Sequence, residues 1–189
     1  DSYMFIVKKN YYFYINSTKD INLNHIKKSK KICIIYRSNN VKEAHKYIIN
    51  FKKDCKKKGF KFYIANNFRL VKICKADGMY LSSFNKKINL YKNLNLIGSA
   101  HSFREINEKV RQGCQTIILS RLFKTNYKNK KSFLGLIKFN LINKSYKFNL
   151  VPLGGINRFN LNKLNLVKSS GLALLSEIKK KPVISNRLF

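Results

Sequence analysis

Two glycine-containing segments near the end of the chain have the residue types of a phosphate-binding loop. Gly154 and Gly155 follow a hydrophobic run and precede a helical pattern, and Gly171 opens a second run that ends at Ser176. Glycines let backbone N–H groups approach a ligand closely, and the N-terminus of a helix favours an anion. The pattern predicts a phosphate site, with an ordinary tight turn between strand and helix as the alternative.

A histidine between two serines is the candidate for proton transfer. Ser99, His101 and Ser102 follow a short apolar run. Because histidine titrates near neutral pH, it can serve as a general acid or base. The alternative is a histidine at the start of a helix that bonds only the backbone. His25 and His45 lack such a context and are predicted to lie on helix surfaces.

Several basic side chains occur where they could hold phosphate oxygens. Arg37 directly follows an apolar run, and the fork of an arginine suits bidentate binding of an oxyanion. Thr125 and Lys128 lie with Lys130 and Lys131 in a later loop that could close over phosphates. A surface salt bridge for Arg37 and a solvated loop for the lysines are the alternatives.

Short apolar runs rich in β-branched and aromatic residues predict the elements that position these groups. There are eight such runs: Tyr11–Ile15, Lys31–Tyr36, Phe60–Ile64, Gly78–Leu81, Leu94–Gly98, Gln115–Leu119, Asn149–Leu153 and Leu172–Leu175.

The intervening helices are marked by their ends. Asn40 is predicted to cap a helix with Glu43 at its third position, in a capping-box-like arrangement, and Gly59 to end that helix. Ser102 and Glu105 have the same spacing at the start of a second helix. Further helical patterns cover residues 67–74, 132–141 and 161–168.

Strands that alternate with helices imply parallel strands joined by crossovers. The closed arrangement is a small (β/α)8 TIM barrel, and the open arrangement is a doubly wound sheet. We expect the barrel, with a truncated last helix, as one domain over residues 1–189. The loops after the seventh and eighth strands of such barrels commonly bind phosphate, which agrees with the positions of the glycine segments.

The net charge of the chain is +32, from 40 Lys and Arg against 8 Asp and Glu. Such a charge invites a nucleic-acid interpretation. However, only seven of the 40 basic residues are Arg, and residues with A/T-rich codons (Lys, Asn, Ile, Phe and Tyr) are abundant. We attribute most of the charge to coding bias and keep nucleic-acid binding as the weaker alternative.

Hydropathy and cysteine usage indicate the compartment. No apolar run approaches the roughly 18 residues of a membrane helix, and there is no signal-peptide pattern. Cys33, Cys55, Cys74 and Cys114 lack metal-ligand spacing and are predicted to be core thiols rather than disulfides. These features predict a cytoplasmic protein without a membrane partner, and they leave the oligomeric state open.

The motifs, taken in order, resemble the thiamine-phosphate synthase/TenI superfamily of small TIM barrels. The resemblance covers about Tyr11 to Ile178. Five segments carry it: Ala76–Leu81, Ile97–Ser102, Phe123–Lys128, Pro152–Ile156 and Gly171–Ile178.

The resemblance implies an activity in thiamine biosynthesis. The synthase of this superfamily joins hydroxymethylpyrimidine diphosphate to a thiazole phosphate with release of diphosphate, usually with Mg²⁺. It also implies roles by position. The residues that match the diphosphate site are Arg37, Ser99, Thr125 and Lys128. Those that match the thiazole phosphate site are Gly154, Gly155 and Ser176. The catalytic candidates are His101, Ser99 and Arg37.

The metal-binding positions depart from the superfamily pattern. The Asn-Asp pair after the third strand corresponds to Asn66 and Asn67, and the Asp after the fourth strand corresponds to Asn85. An amide oxygen can ligate Mg²⁺ but contributes no charge, so the affinity for the metal should fall.

The TenI branch of the superfamily supplies an alternative. It resembles a thiazole tautomerase, which moves a proton on a thiazole phosphate without diphosphate or metal, and its histidine matches His101. Asp77 of the same pattern is predicted to be structural. We lead with the synthase-type reaction; a barrel that binds a phosphate ligand without turnover is a further alternative.

Overall fold

A closed barrel of eight parallel strands forms the centre of the computed structural model, which describes residues 8–38, 43–87, 93–125, 132–157 and 159–174. Each strand pairs with the next, and the last pairs with the first. The strands are β1 (Asn10–Ile15), β2 (Ile32–Tyr36), β3 (Lys61–Ala65), β4 (Gly78–Leu81), β5 (Leu96–Ala100), β6 (Thr116–Ser120), β7 (Asn149–Leu153) and β8 (Gly171–Leu174). The predicted parallel TIM barrel is therefore confirmed.

Helices follow several of the strands and cover the outside of the barrel. The α-helices of the described residues are α1 (His45–Lys58), α2 (Phe68–Cys74), α3 (Phe103–Arg111) and α4 (Gly135–Lys144). Three 3₁₀ turns add Thr18–Asp20, Leu23–His25 and Leu161–Leu166. The helical pattern over 161–168 thus forms a 3₁₀ turn, and the predicted truncated last helix lies outside the described residues.

Of the two predicted helix starts, that of α3 is confirmed and that of α1 is wrong. Ser102 caps α3, because its side chain accepts the backbone N–H of Glu105. The start of α1 differs from the prediction: it begins at His45 after Ala44, without a side-chain cap. Glu43 lies two residues before α1 and accepts hydrogen bonds from a distant loop; Asn40 lies outside the described residues.

Alternating strand residues divide the core into two layers. One cluster lies between the strands and the helices and includes residues of α1 to α4. The other is built from strand residues alone and fills the barrel interior, with tyrosines prominent in it: Tyr12, Tyr14, Tyr63 and Tyr80. Strand side chains alternate between two faces, so each strand contributes to both layers.

All four cysteines are buried and free, as predicted. Burial raises the pKa of Cys33, Cys55 and Cys114 to about 12. A thiol with such a pKa is protonated at neutral pH and packs as a small apolar group. These three cysteines therefore pack in the core as protonated thiols.

Asp77 has the structural role expected of it. It directly precedes β4, where its carboxylate accepts the backbone N–H of Phe62 at 2.7 Å and pairs with Lys52. This position is at the amino end of the barrel, opposite the loops that follow the strands. Within the described residues, no helix is long and apolar enough to cross a membrane.

Candidate functional site

The loops that follow the carboxyl ends of the strands, called the mouth here, contain most of the predicted site residues. Arg37 comes directly after β2, and its backbone N–H donates to Ile15 O at 2.7 Å. Ser99 and His101 lie at the end of β5, and Thr125 lies in the loop after β6. The barrel closure therefore collects residues that are far apart in the sequence at one end of the molecule.

Two buried phenols form the floor beneath Arg37. The hydroxyls of Tyr14 and Tyr80 are 3.2 Å apart, and their rings pack edge to face with centroids 5.5 Å apart. Ser99 hydrogen-bonds to Tyr80. Burial raises the pKa of both tyrosines, although the positive charge of Arg37 acts in the opposite direction. Both phenols are therefore neutral at pH 7, so the floor offers hydroxyl groups and no negative charge that would repel a phosphate.

The sequence interpretation missed Tyr14 and Tyr80 as site residues. The signal was available, because each is the second-last residue of its strand and carries a polar tip. A polar tip in the last layer of a barrel faces the mouth. The contact between their hydroxyls forms only in the closed barrel, which brings β1 and β4 together.

His101 is an exposed residue at the start of α3. Its Nδ1 lies 2.7 Å from Ser120 Oγ at the end of β6. Its backbone N–H donates to Glu105 Oε2 at 2.7 Å, while Ser102 Oγ accepts the N–H of Glu105. The backbone of His101 thus belongs to the helix cap, and its imidazole contacts the end of the next strand; a role in proton transfer stays a prediction.

The loops after β6 and β7 are joined along their backbones. Leu122 N–H donates to Leu153 O at 2.9 Å, and Phe123 N–H donates to Gly154 O at 3.1 Å. Gly155 has a φ of +71°, and a Cβ there would lie 2.4 Å from Phe123 O. Glycine is therefore required at this position both for its backbone conformation and for the close approach of the two loops.

Arg121 fixes Thr125 within this pair of loops. Its two terminal nitrogens donate to Thr125 Oγ1 at 2.7 Å and to Ser132 O at 2.9 Å. A Cβ at Gly154 would lie 3.1 Å from the Arg121 side chain, so the guanidinium stem passes against the glycine loop. The sequence analysis did not select Arg121, although an arginine directly after a strand was the signal used for Arg37.

The three candidate metal ligands take part in hydrogen bonds of their own. Asn66 Oδ1 accepts both Ser82 N–H at 3.1 Å and Asn85 Nδ2 at 3.1 Å, and Asn66 Nδ2 donates to Ser82 Oγ at 2.7 Å. Asn67 Oδ1 caps α2 through the N–H of Leu70. The structure thus brings Asn66 and Asn85 together and directs Asn67 to the helix.

These residues do not fit a Mg²⁺ ion. Magnesium in proteins is held by carboxylates and waters in octahedral geometry. The amide oxygen of Asn66 already has two donors, and that of Asn85 accepts the N–H of Lys87. Within the described ranges, no group of three or more His, Cys, Asp or Glu side chains could hold a metal ion. At positions where the resemblance implies Asp, this chain therefore has Asn side chains that hydrogen-bond to each other and to Ser82.

Some predicted residues cannot be placed. Lys128, Lys130 and Lys131 of the loop after β6 and Ser176 after β8 lie outside the described residues. The two other histidines are on the surface as predicted: His25 is in a 3₁₀ turn and His45 is the exposed first residue of α1.

The fold and the mouth together define a small (β/α)8-barrel protein with its candidate site at the carboxyl ends of the strands. Residues 6–178 match the family model described as thiamine monophosphate synthase. The chain therefore belongs to this family.

Individual relatives of the chain are thiamine-phosphate synthases by name. The thiamine-phosphate synthase of Prochlorococcus marinus subsp. pastoris is 30% identical over 146 residues, which are 75% of this chain and 42% of that protein. That of Clostridium perfringens strain 13 is 25% identical over 150 residues, 76% of this chain and 72% of that protein. The chain spans about two fifths of the length of the Prochlorococcus relatives that it matches.

A solved structure has the same fold. Thiamine phosphate pyrophosphorylase from Pyrococcus furiosus superposes with a TM-score of 0.76 at 20% identity, covering 95% of this chain and 91% of that chain. At 20% identity, this similarity shows the fold alone.

Proposed function

We propose that the chain is a thiamine-phosphate-synthase-type transferase that joins a hydroxymethylpyrimidine diphosphate to a thiazole phosphate. The observation that carries the proposal is that backbone hydrogen bonds join the loops after β6 and β7. These loops hold Thr125, assigned by resemblance to the diphosphate, and the Gly154–Gly155 pair, assigned to the second phosphate. Two phosphorylated substrates bound there would lie side by side.

The reaction needs positive charge where the leaving group departs. The bond between the pyrimidine methyl carbon and the diphosphate oxygen breaks, and its electron pair leaves with the diphosphate. The thiazole nitrogen lone pair then forms the new C–N bond. Arg37 would stabilise the charge that develops on the departing oxygens, with Ser99 as a neutral hydrogen-bond donor beside it.

The neighbouring loops would orient the two substrates. Arg121 holds the Thr125 hydroxyl in one position, and a pre-oriented donor lowers the barrier because no reorganisation is needed during the reaction. The backbone of Gly154 and Gly155 offers close approach to the thiazole phosphate. No step of this mechanism passes through a metal ion, because the amide network at Asn66 and Asn85 does not fit one.

The test is diphosphate release from the two substrates by the full chain. We expect product with the wild type and at least a roughly 100-fold lower kcat/KM for Arg37→Ala. Arg111→Ala, an exposed arginine in the last turn of α3, is the matched control and should retain activity. Absence of product from the wild type would reject the proposal, and equal losses in both variants would reject the role of Arg37.

The geometry of His101 favours one second candidate, a metal-independent thiazole tautomerase. The contact of Nδ1 with Ser120 Oγ holds the imidazole at the mouth, where it could exchange a proton with a ligand. We expect this activity to shift a proton on a thiazole phosphate carboxylate and to be abolished in His101→Ala. His25→Ala serves as the control, because His25 is exposed in a 3₁₀ turn.

The two assays also identify a barrel without turnover. Tight binding of the thiazole phosphate together with failure of both reactions would assign the chain to phosphate-ligand binding. Turnover in either assay would exclude that alternative.

A further inference from the structure

A fully buried lysine on α3 reaches the loop that follows β4. Lys109 is 0% exposed. Its Nζ donates to Ser82 O at 2.8 Å, to Asn85 O at 2.6 Å and to Gln112 Oε1 at 2.9 Å. Residues 82–87 are called the β4 loop here. Three acceptors require three N–H donors, which an ammonium group has and a neutral amine lacks.

A neighbouring side chain at the C-terminal cap of α3 holds the same loop. Gln112, which is also buried, donates through Nε2 to Asn85 O at 2.9 Å and to Lys87 O at 2.8 Å. Lys109 and Gln112 are three residues apart and therefore lie on one face of the helix. Together they bind the carbonyls of three residues in a six-residue segment.

The barrel makes room for this lysine. A Cβ at Gly98 of β5 would lie 2.8 Å from Lys109 Cγ, so only glycine lets the stem pass between α3 and the sheet. Burial lowers the pKa of Lys109. A buried ammonium is costly unless its hydrogen bonds are made. The loop carbonyls make them, so the loop and the lysine depend on each other.

The β4 loop also hydrogen-bonds to Asn66 at the mouth. Ser82 and Asn85, whose carbonyls bind Lys109, are the residues whose other polar groups bind Asn66. One continuous hydrogen-bonded path therefore connects α3 with the residue that follows β3. The path includes Asn66 and Asn85, two of the three asparagines at the metal positions implied by the resemblance.

We propose that the ammonium of Lys109 is the internal cation that orders the β4 loop, so that the Asn66–Ser82–Asn85 network assembles without a divalent cation. Lys109 and Gln112 are then positioning residues for the mouth. The structural part of this inference stands by itself, and its kinetic consequence rests on the proposed function.

Hydrogen exchange of the full chain tests the structural part. We expect the amides of the β4 loop to be equally protected with MgCl₂ and with EDTA. Lys109→Met should raise their exchange at least tenfold. Lys52→Met is the matched control, because Lys52 is also buried but pairs with Asp77 at the opposite end of the barrel. It should leave the β4 loop unchanged.

Two results would overturn the inference. One is protection of the wild-type loop that increases with Mg²⁺, and the other is unchanged protection in Lys109→Met. Should Lys109→Met fail to fold, Gln112→Leu removes two loop contacts and one lysine acceptor while it keeps the ammonium. This variant should raise the exchange of the same amides, but less than Lys109→Met does. Unchanged exchange in Gln112→Leu would also contradict the inference.

Kinetics separate positioning from simple destabilisation. If the proposed coupling reaction is observed, Gln112→Leu should lower kcat at least tenfold. The KM for the thiazole phosphate should stay within twofold, because the loops after β6 and β7 are untouched. An unchanged kcat would reject the positioning role. A wild type that forms no product would refute the proposed function, while the exchange result would still decide the inference.

Discussion

Glu43 connects two loops at the mouth through its carboxylate. Its oxygens accept hydrogen bonds from Ser17 Oγ at 2.9 Å, Thr18 Oγ1 at 2.8 Å and Thr18 N–H at 3.1 Å. Burial raises the pKa of Glu43, but the hydrogen bonds from Thr18 and Ser17 outweigh it and hold the pKa below its ordinary value of 4.5. This single side chain therefore fixes the segment after β1 against the segment that follows Arg37.

The pKa of Glu43 predicts a pH dependence of stability. A carboxylate whose pKa is lower in the folded state stabilises the fold above about pH 4.5, and the contribution is lost as the pH falls below that value. Glu43→Gln should lower the free energy of unfolding by about 1 kcal/mol at pH 7 and have little effect at pH 3. Denaturant unfolding at both pH values measures this difference.

Asp54→Asn provides the comparison for Glu43. Asp54 is an exposed carboxylate that pairs with Lys57 one helical turn away. Its loss should change stability by less than about 0.5 kcal/mol at either pH. A Glu43→Gln effect of the same size at pH 3 and pH 7 would contradict the role of the charge.

The loops after β6 and β7 are joined at the candidate phosphate site. Two backbone hydrogen bonds join them, from Leu122 N–H to Leu153 O and from Phe123 N–H to Gly154 O. Gly155 approaches Phe123 O and Lys124 O so closely that any Cβ would force the loops apart. The geometry of the candidate phosphate site is therefore set by one residue without a side chain.

Gly155→Ala should destabilise the fold more than Gly113→Ala does. Both glycines have positive φ, +71° and +84°, but nothing lies within 4 Å of a Cβ at Gly113. Gly113→Ala should lower the free energy of unfolding by about 1–2 kcal/mol, from backbone conformation alone. Gly155→Ala should add about 1–3 kcal/mol for the clash and weaken phosphate binding. Equal losses in the two variants would show that the loop contact adds nothing.

The whole molecule carries a charge that local contacts do not neutralise. Eight acidic residues face forty basic ones. In the described residues several of the acids have structural roles, among them Glu43 in the loops and Asp77 at the amino end of the barrel. A folded state with this excess is destabilised by repulsion between its own charges.

Salt should therefore stabilise the protein. Raising NaCl from about 50 mM to about 500 mM shortens the screening distance from more than 10 Å to about 4 Å. We expect the Tm to rise by about 3 °C or more. A variant with the exposed Lys27, Lys28, Lys30 and Lys31 changed to Gln should respond less. A Tm that does not change with salt, or an equal response in the variant, would contradict self-repulsion.

The strands were predictable because their signal is local. Apolar runs with β-branched residues located each of the eight strands to within two residues of its bounds. The start of α1 was not predictable from Glu43, because a capping box and a long-range contact use the same residue type. The choice between them depended on Ser17 and Thr18, which are about 25 residues away.

The order of the strands, the buried thiols, the family and the positions of Arg37, Ser99 and His101 at strand ends could all be read from the sequence. Which of these groups meet depends on the tertiary structure. It placed Tyr14 under Arg37 together with Tyr80, tied Thr125 to Arg121, and closed the asparagine network with a lysine from α3. The reason is physical: strand formation depends on neighbours in the chain, whereas hydrogen bonds and buried charges depend on distances that exist only after the barrel has closed.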